Sequence, residues 1–433
     1  MNRLLLVLFF SLPAWAGAAG TSTPGDELRA RLRAADDGAT IVVAPGVYDG
    51  PFVLEKPVHL IGRPGATLRG DGLTHVVAVR APDVEIAGFL IRTSGRDLSK
   101  DHAAIHISGA RAVIRGNRIL DCLHGIYVRK ANDVRIEDNL IIGDATSEAE
   151  ATDPLTTSLK PGAAELCEVE PIQELRGNGI HLWNSSGHLI AHNTISGTRD
   201  GIYFSFTDAT LVRDNTIRRV RYGLHYMYSD DNTFERNVFA DNAAGAAIMY
   251  SKGLLLRHNQ FLASRSQRAY GMLLQSVDDT RIEANRIEGN TLGLYLENGN
   301  NNTLTGNRIA QNYIGLRVND SSAGNRFFAN TFSGNIHPVE TSGSNDANLW
   351  AVDRRGNYWD DAVRLDLDRD GISDLPHREP DLFGAWRRPF PAIGLLSASP
   401  GERLLRFIHS RLALPGLPGV TDPAPLVAVP SPP

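Results

Sequence analysis

The chain is poor in cysteine, in methionine and in net charge, and it has no apolar run long enough to span a membrane. Its 433 residues include 2 cysteines and 4 methionines and carry a formal net charge of -5. Because there is no basic excess, the composition gives no indication of a nucleic-acid partner. The acidic excess is also too small for a disordered chain, and a hydrophobic content of 42% is enough for a long core. We therefore expect a folded, soluble protein.

The N-terminus predicts export. A short apolar run over residues 4–12 follows Arg3 and precedes small residues at 14–19. The run is too short to span a bilayer, so we interpret residues 1–18 as a removable signal peptide. In an oxidising compartment Cys122 and Cys167 could pair, but a metal thiolate and two free thiols remain open from the sequence.

An asparagine returns at a spacing that is 22 residues in most coils and predicts a solenoid, since self-similarity at such a period marks a repeat fold. Apolar residues alternate with polar ones between the asparagines, which predicts several short strands in each coil of an all-β parallel β-helix. Stacked amide side chains would form hydrogen bonds with the coils above and below, and so satisfy the main-chain groups of a buried turn. The residues of this column are Asn117, Asn139, Asn193, Asn215, Asn237, Asn259, Asn285, Asn307 and Asn330.

Departures from the repeat divide the chain. We predict a β-helix over residues 19–340, closed at its start by a short helix at 24–35 with Leu28 and Leu32 on one face. The repeat is interrupted by an insertion at 143–177, which we interpret as a loop on one face of the solenoid. Residues 341–389 are predicted to form a C-terminal cap. The Pro-rich segment 390–433 is predicted to be an extended tail for partner docking, with a short helical candidate at residues 402–412.

Soft, exposed metal ligands are predicted on an outward-facing column of the solenoid. If the register holds, Met227 and Met249 lie one coil apart, and His225 shares a strand face with Met227. Thioether and imidazole groups together suit a monovalent copper ion. The alternative interpretation is an apolar protein-docking patch that includes Tyr228 and Tyr250.

An acidic loop predicts a calcium site. Asp366, Asp368, Asp370 and Asp374 occupy positions 1, 3, 5 and 9 of an EF-type loop, with Gly371 at the sharp turn. Ile372 occupies position 7, and His377 stands at position 12, where a bidentate glutamate is usual. The flanking residues do not predict two helices. We therefore expect a single structural calcium loop in the cap, with a solvated acidic turn as the alternative.

Other acidic residues carry no catalytic prediction. Many parallel β-helices cleave or epimerise polysaccharides with paired carboxylates or a basic residue. The candidates here are Asp208, Asp230, Asp231, Asp278 and Asp279, which fall together at one turn of the repeat. Turn chemistry explains them without catalysis, so we do not expect an enzyme.

Several segments together resemble the NosD family, periplasmic β-helix proteins needed for the maturation of nitrous oxide reductase. The resemblance runs from about residue 40 into the tail. The segments that carry it are 223–229 (GLHYMYS), 249–252 (MYSK), 296–300 (LENGN) and 356–361 (GNYWDD), followed by the acidic loop 366–374 and Pro376-His377.

The resemblance implies a right-handed β-helix in the periplasm, associated with the inner membrane through an ABC transporter permease and ATPase. It implies that copper(I) is cargo, taken from a copper chaperone lipoprotein and delivered to apo nitrous oxide reductase. Two other classes stay open. One is a carbohydrate-binding or polysaccharide-cleaving solenoid with Trp183, Tyr203 and Tyr228 as stacking platforms. The other is a scaffold that never touches copper.

Overall fold

The computed structural model describes residues 22–143, 176–266, 269–341, 345–381, 386, 390, 392–393, 399–411 and 419–430. Within these residues the chain winds through three parallel sheets of 12, 13 and 12 strands, visiting each sheet once per coil. The predicted all-β parallel β-helix with coils of about 22 residues is therefore confirmed. A separate pair of antiparallel strands lies at the C-terminal end.

The strands of the three sheets are short, as expected for a coil that turns three times. The first sheet contains Ala39–Val43, Val58–Gly62, Glu85–Ala87, Val113–Arg115, Arg135–Glu137, Leu189–Ala191, Leu211–Arg213, Thr233–Glu235, Leu255–Arg257, Arg281–Glu283, Thr303–Thr305 and Arg326–Phe328. The second contains Gly46–Asp49, Ala66–Arg69, Leu90–Arg92, Arg118–Leu120, Leu140–Ile142, Thr194–Ser196, Thr216–Arg218, Val238–Ala240, Gln260–Leu262, Arg286–Glu288, Arg308–Ala310, Thr331–Ser333 and Tyr358–Trp359. The third contains Phe52–Leu54, Val77–Val79, Ala103–Ile107, His124–Arg129, Ile180–Ser186, Asp200–Asp208, Tyr222–Met227, Ala244–Lys252, Tyr270–Asp278, Leu292–Glu297, Ile314–Val318 and His337–Thr341.

The asparagine column forms a continuous buried ladder at the corner between the first and second sheets. Asn237 is representative: its side-chain oxygen accepts from the main-chain N–H and the amide of Asn215, at 3.1 and 2.9 Å. Its own amide donates to the Val212 carbonyl at 2.9 Å and to Oδ1 of Asn259 at 3.0 Å. Each amide thus satisfies main-chain groups that water cannot reach, which is the role predicted for it.

The other two corners carry asparagine ladders that were not predicted from the sequence. Both are broken by Thr, Ser, Val or Leu at equivalent positions, so their period is weaker in the sequence. One, between the second and third sheets, contains Asn242, Asn290, Asn312 and Asn335. The other, between the third and first sheets, contains Asn232, Asn302, Asn325 and Asn348.

A short helix closes the N-terminal end of the core. Helix α1, Pro24–Ala34, begins at a capping box formed by Thr23 and Asp26, and it buries Leu28 and Leu32. The predicted capping helix is confirmed. A one-turn 3-10 helix, Leu98–Lys100, interrupts a turn farther along the chain.

At the C-terminal end, part of the predicted tail belongs to the cap. Gly419–Asp422 pairs antiparallel with His377–Pro380. The Asp422 carboxylate accepts from the Asn357 N–H at 2.7 Å and from the Trp359 indole at 2.9 Å, and Asn357 is the last amide of the first ladder. Residues 419–430 of the segment predicted as an extended tail therefore pack against the cap, where this carboxylate ends the ladder. The docking role of residues 390–433 stays a prediction. Helix α2, Pro400–Arg411, lies where a helix was predicted and packs against the strand His377–Pro380.

Several sequence predictions concern residues outside the described ranges. These are the signal peptide 1–18, Cys167, and the insertion 143–177 apart from its edges at 143 and 176–177. Cys122 is buried, and burial raises the pKa of its thiol to about 12, so this sulfur stays protonated at neutral pH. Among the described helices, none has both the length and the apolar character needed to cross a bilayer.

Candidate functional site

The three residues predicted as soft ligands come together on the outer face of the third sheet. Met227 and Met249 are paired partners in the adjacent strands Tyr222–Met227 and Ala244–Lys252. The side chains of Leu224 and Tyr226 belong to the core, so His225 and Met227 between and after them point outward. Met227 is partly exposed, but Met249 is only 5% exposed. The expectation that all three ligands are exposed is therefore wrong for Met249, whose outward face is covered.

Tyr203 completes the surroundings of the methionine pair. It precedes His225 by one coil and is its register partner. Its hydroxyl donates to the Met227 sulfur at 3.9 Å, and its ring meets the His225 ring edge to face at 4.9 Å. Imidazole, phenol and thioether thus form one contiguous group.

A buried ion pair between Asp200 and Arg221, which was not identified from the sequence, contacts this group through His225. Oδ1 and Oδ2 of Asp200 accept two hydrogen bonds from the Arg221 guanidinium at 2.8 and 2.7 Å. The side chains of Asp200 and Arg221 are 2% and 10% exposed. Asp200 stands directly before Gly201, where other coils carry apolar, aromatic, amide or imidazole side chains. A carboxylate at a position that is uncharged in the other coils was the sequence feature that could have indicated this ion pair.

The same carboxylate fixes the orientation of His225. Nδ1 of His225 lies 2.9 Å from Oδ2 of Asp200, a charge-assisted hydrogen bond that places the proton on Nδ1. Burial opposes the charged form of Asp200, but hydrogen bonds from His225 and Arg221 outweigh it and hold the pKa of its carboxyl well below the usual value. In the neutral imidazole, whose single proton then sits on Nδ1, Nε2 keeps a lone pair. This is the carboxylate–histidine arrangement that orients metal ligands in proteins.

Further rings extend the column toward the N-terminal end. His106, Tyr127, His181, Tyr203 and His225 follow one another with centroid separations of 5.5, 4.3, 4.4 and 4.9 Å. Burial lowers the pKa of His106 to about 4 and that of His181 to about 3. Both imidazoles are therefore neutral at pH 7.

An exposed aromatic stack borders the methionine pair. Phe206, Tyr228 and Tyr250 follow the Ser205, Met227 and Met249 positions in successive coils, with ring separations of 5.3 and 5.1 Å. They are 53%, 47% and 47% exposed. Each has a positive φ, at 52°, 51° and 51°, a conformation that is unusual for aromatic residues. Such a stack offers a flat apolar surface to a partner molecule.

The acidic loop of the cap brings together three of its predicted ligands. Carboxylate oxygens of Asp366, Asp368 and Asp370 lie within 4.8 Å of one another. Asp374 instead accepts from the Leu367 N–H at 2.8 Å and closes the loop, and Ile372 forms an isolated bridge with Leu426. His377, which stands at the twelfth position of the motif by count, is not part of this group. Its strand directs it elsewhere in the cap.

Three of the five acidic residues considered for catalysis, Asp208, Asp230 and Asp278, bond to main-chain groups of the turns. Oδ1 of Asp208 accepts from the Asp230 N–H at 2.7 Å, and Oδ1 of Asp230 accepts from the Lys252 N–H at 2.9 Å. Oδ1 of Asp278 likewise accepts from the Asn300 N–H at 2.8 Å. Each carboxylate therefore bonds to the main chain of the next coil.

Comparison with known proteins gives consistent matches. The family described as "Periplasmic copper-binding protein (NosD)" matches residues 163–363. A "Probable ABC transporter binding protein NosD" of Pseudomonas aeruginosa is 35% identical and covers 92% of this chain and 90% of its own length. A protein of the same description from Stutzerimonas stutzeri is 34% identical, covering 98% of this chain and 94% of its own. Among solved structures, the A-module of the Azotobacter vinelandii mannuronan C-5 epimerase AlgE6 is 11% identical, with a TM-score of 0.49 over 77% of this chain and 96% of that one.

Proposed function

The chain belongs to the NosD family, and on that premise we propose that it is a periplasmic accessory protein that carries copper(I), working with an ABC transporter in building the copper sites of nitrous oxide reductase. The descriptions of the family and of its relatives support copper binding, the periplasm and an ABC transporter partner. The observation that carries the copper assignment is the paired Met227 and Met249 beside an imidazole whose Nε2 lone pair is kept available by Asp200. Delivery to the reductase, and receipt from a chaperone lipoprotein, extend the proposal beyond those descriptions.

The charge of the site favours exchange over retention. Met227, Met249 and His225 are neutral ligands, and the Asp200 carboxylate is already balanced by Arg221. A bound copper(I) ion therefore leaves one positive charge that no ligand neutralises. Because Met227 is partly exposed while Met249 is buried, the ion arrives and leaves on the Met227 side. Tyr203 donates to the Met227 sulfur and releases it when the sulfur turns to the metal.

Two surfaces suit the protein partners. The stack of Phe206, Tyr228 and Tyr250 adjoins the methionine pair, so a copper donor or acceptor docked there brings its own ligands to the site.

Helix α2 exposes Leu404, Leu405 and Ile408, at 59%, 37% and 36%, and we assign this face to the transporter permease. Changing Leu404 and Ile408 to Glu should abolish co-purification with the transporter. Retained co-purification would move the permease contact to another surface.

The copper site is tested by removing both thioethers. The Met227→Leu/Met249→Leu variant keeps side-chain volume but loses the sulfur ligands, so copper(I) affinity in a chelator competition should fall at least about tenfold. Met272→Leu is the matched control, because this methionine is fully buried in the core. Copper loading of the reductase in cells should follow the same order. Unchanged affinity and loading in the double variant would reject the site.

The acidic loop is proposed as a structural calcium site. Asp366, Asp368 and Asp370 supply hard oxygen ligands around a turn in which Gly371 has a φ of 86°. The loop joins two parts of the cap, since Leu426 bridges Ile372 on one side and Tyr358 on the other. A calcium ion held there would stabilise this junction.

A carbohydrate-binding or carbohydrate-cleaving protein is the second candidate, and the exposed aromatic stack favours it. Of the three platforms predicted from the sequence, only Tyr228 is strongly exposed. Tyr203 is partly covered and bonded to Met227, and the ring of Trp183 is flanked by Arg129 and Lys130 at 5.2 and 5.4 Å. A glycan array combined with a reducing-end assay separates the two functions. Binding that is lost in Tyr228→Ala while copper affinity persists would favour the carbohydrate function.

A further inference from the structure

The C-terminal cap contains a second convergent group of side chains, separate from the acidic loop. His377 begins the strand His377–Pro380, and its ring stacks on Trp359 with centroids 4.7 Å apart. Its side chain is 7% exposed. Nevertheless, its Nε2 has no hydrogen-bond partner. A buried imidazole nitrogen without a partner calls for a specific explanation.

Two carboxylates face that nitrogen. Nε2 lies 3.8 Å from Oδ1 of Asp361 and 3.7 Å from Oε2 of Glu379, and the three ligand atoms lie within 4.8 Å of one another. These separations are too long for hydrogen bonds. They suit atoms arranged around one ion, since bonds of about 2.0–2.2 Å place neighbouring ligands roughly 2.8–3.8 Å apart.

We propose that His377, Glu379 and Asp361 form a binding site for a divalent ion of the zinc type. One imidazole and two carboxylates are the donors that Zn²⁺ accepts, whereas Ca²⁺ prefers oxygen ligands alone and Cu(I) prefers thioether or thiolate. Two carboxylates balance the double charge, which matters because Glu379 is only 3% exposed. Asp361 is 52% exposed and provides access from solvent. Three protein ligands leave one position for water.

The ion would tie together the parts of the cap. Asp361 follows Tyr358–Trp359, the last strand of the second sheet, whereas His377 and Glu379 lie on the strand that pairs with Gly419–Asp422. Helix α2 packs against that same strand. One ion therefore joins the end of the solenoid to the returning C-terminal segment. Its role is structural, and it is independent of the copper(I) site on the third sheet.

The test uses the full mature chain carrying Met227→Leu and Met249→Leu, with calcium saturating, so that neither proposed ion site competes. We expect one Zn²⁺ per chain in calorimetry, a visible absorption band with Co²⁺, and a higher melting temperature with Zn²⁺. His377→Gln should weaken Zn²⁺ binding at least about tenfold and abolish the band. His258→Gln, which changes an exposed histidine, should change neither.

Asp361→Asn supplies a second variant at a half-exposed position, which keeps the test decisive if His377→Gln fails to fold. It should also weaken Zn²⁺ binding. The proposal is overturned if the parent chain gives no Co²⁺ band, which would mean a metal-free imidazole–carboxylate contact. It is equally overturned if binding persists unchanged in both variants. Neither result bears on copper(I), which is measured on chains with intact methionines.

Discussion

Replacing Asp200 with Asn tests whether its carboxylate serves the metal ligand as well as the fold. The substitution keeps the shape of the side chain but removes the charge that Arg221 and His225 share. The guanidinium, 10% exposed, is then buried without its counter-ion. Breaking one side of a buried ion pair typically costs about 3–5 kcal/mol of unfolding free energy. Loss of the oriented Nδ1 proton should weaken copper(I) binding about 10- to 100-fold.

A second variant separates the two effects. Asp200→Asn/Arg221→Gln removes both charges, leaves no uncompensated ion, and should recover much of the lost stability. Copper(I) affinity should stay low, because His225 still lacks its carboxylate. Asp208→Asn is the control on the same strand, since its exposed side chain keeps an oxygen for the Asp230 N–H. Urea unfolding gives the stability, and competition with a chromophoric chelator gives the affinity.

The stability and affinity results refute different statements. If the double variant is stable and binds copper(I) as tightly as the unmodified chain, His225 is not a ligand and the role assigned to Asp200 in metal binding fails. If Asp200→Asn costs less than about 1 kcal/mol, the charge pair is not desolvated as its burial indicates. If the control loses affinity as much as the Asp200 variants, the effect is a general one of surface charge.

Three further predictions concern stability. Asn237→Ala leaves one main-chain N–H and one carbonyl unpaired inside the ladder, and should lower the free energy of unfolding in urea by about 3–5 kcal/mol. Asn335→Ala, at a partly exposed ladder end, should lower it by less than half as much. Equal losses would contradict the ladder argument. Because burial lowers the pKa of His106 to about 4 and of His181 to about 3, the unfolded chain takes up protons first as pH falls below about 6.5. The metal-free protein should therefore lose about 1 kcal/mol per histidine between pH 7.5 and 5.5, and a flat profile in urea unfolding would contradict this burial. A calcium chelator should lower the melting temperature, and Asp368→Ala should remove that sensitivity; an unmodified chain indifferent to the chelator would leave the loop a plain acidic turn.

The fold was predictable because one physical requirement recurs in coil after coil from Asn117 onward. A corner that buries its main chain needs an amide at the same place each time, so Asn117 through Asn330 repeat visibly in the sequence. The pairing of Met227 with Met249 follows from that register alone. The two interrupted ladders were not predicted from the sequence, because a hydroxyl or an apolar side chain replaces the amide in some coils and weakens the repeat. Where Thr280 stands in such a column, its main-chain N–H still bonds to Asn302 in the next coil.

The rest of the candidate site depends on contacts that occur in one coil only, so the repeat in the sequence does not predict them. The contact of Asp200 with Arg221 occurs once and joins residues whose nearness depends on the bend before Gly201. Burial of Met249 requires cover on the outer face of a sheet, and a strand pattern predicts only which way a side chain points. The direction of the His377 side chain could not be predicted either. A loop motif gives only the position of a residue in the count, whereas the strand that begins at His377 places its ring against Trp359.

The insertion clarifies how the outer face of the third sheet, which carries the proposed copper ligands, keeps its geometry. Asn139 and Asn193 are 54 residues apart, yet the Asn139 N–H and amide both donate to Oδ1 of Asn193 at 3.0 Å, as neighbouring coils do elsewhere. The third sheet is equally continuous, since Ile126 pairs with Ile180 across the same gap. The coils therefore stack as if the intervening residues were absent, and the spacing of His225 from the rings that precede it is independent of the length of the insertion. A solenoid of this kind can vary its loops while the ligand register on its sheet stays constant, because each coil takes its position from its neighbours' amides and strands.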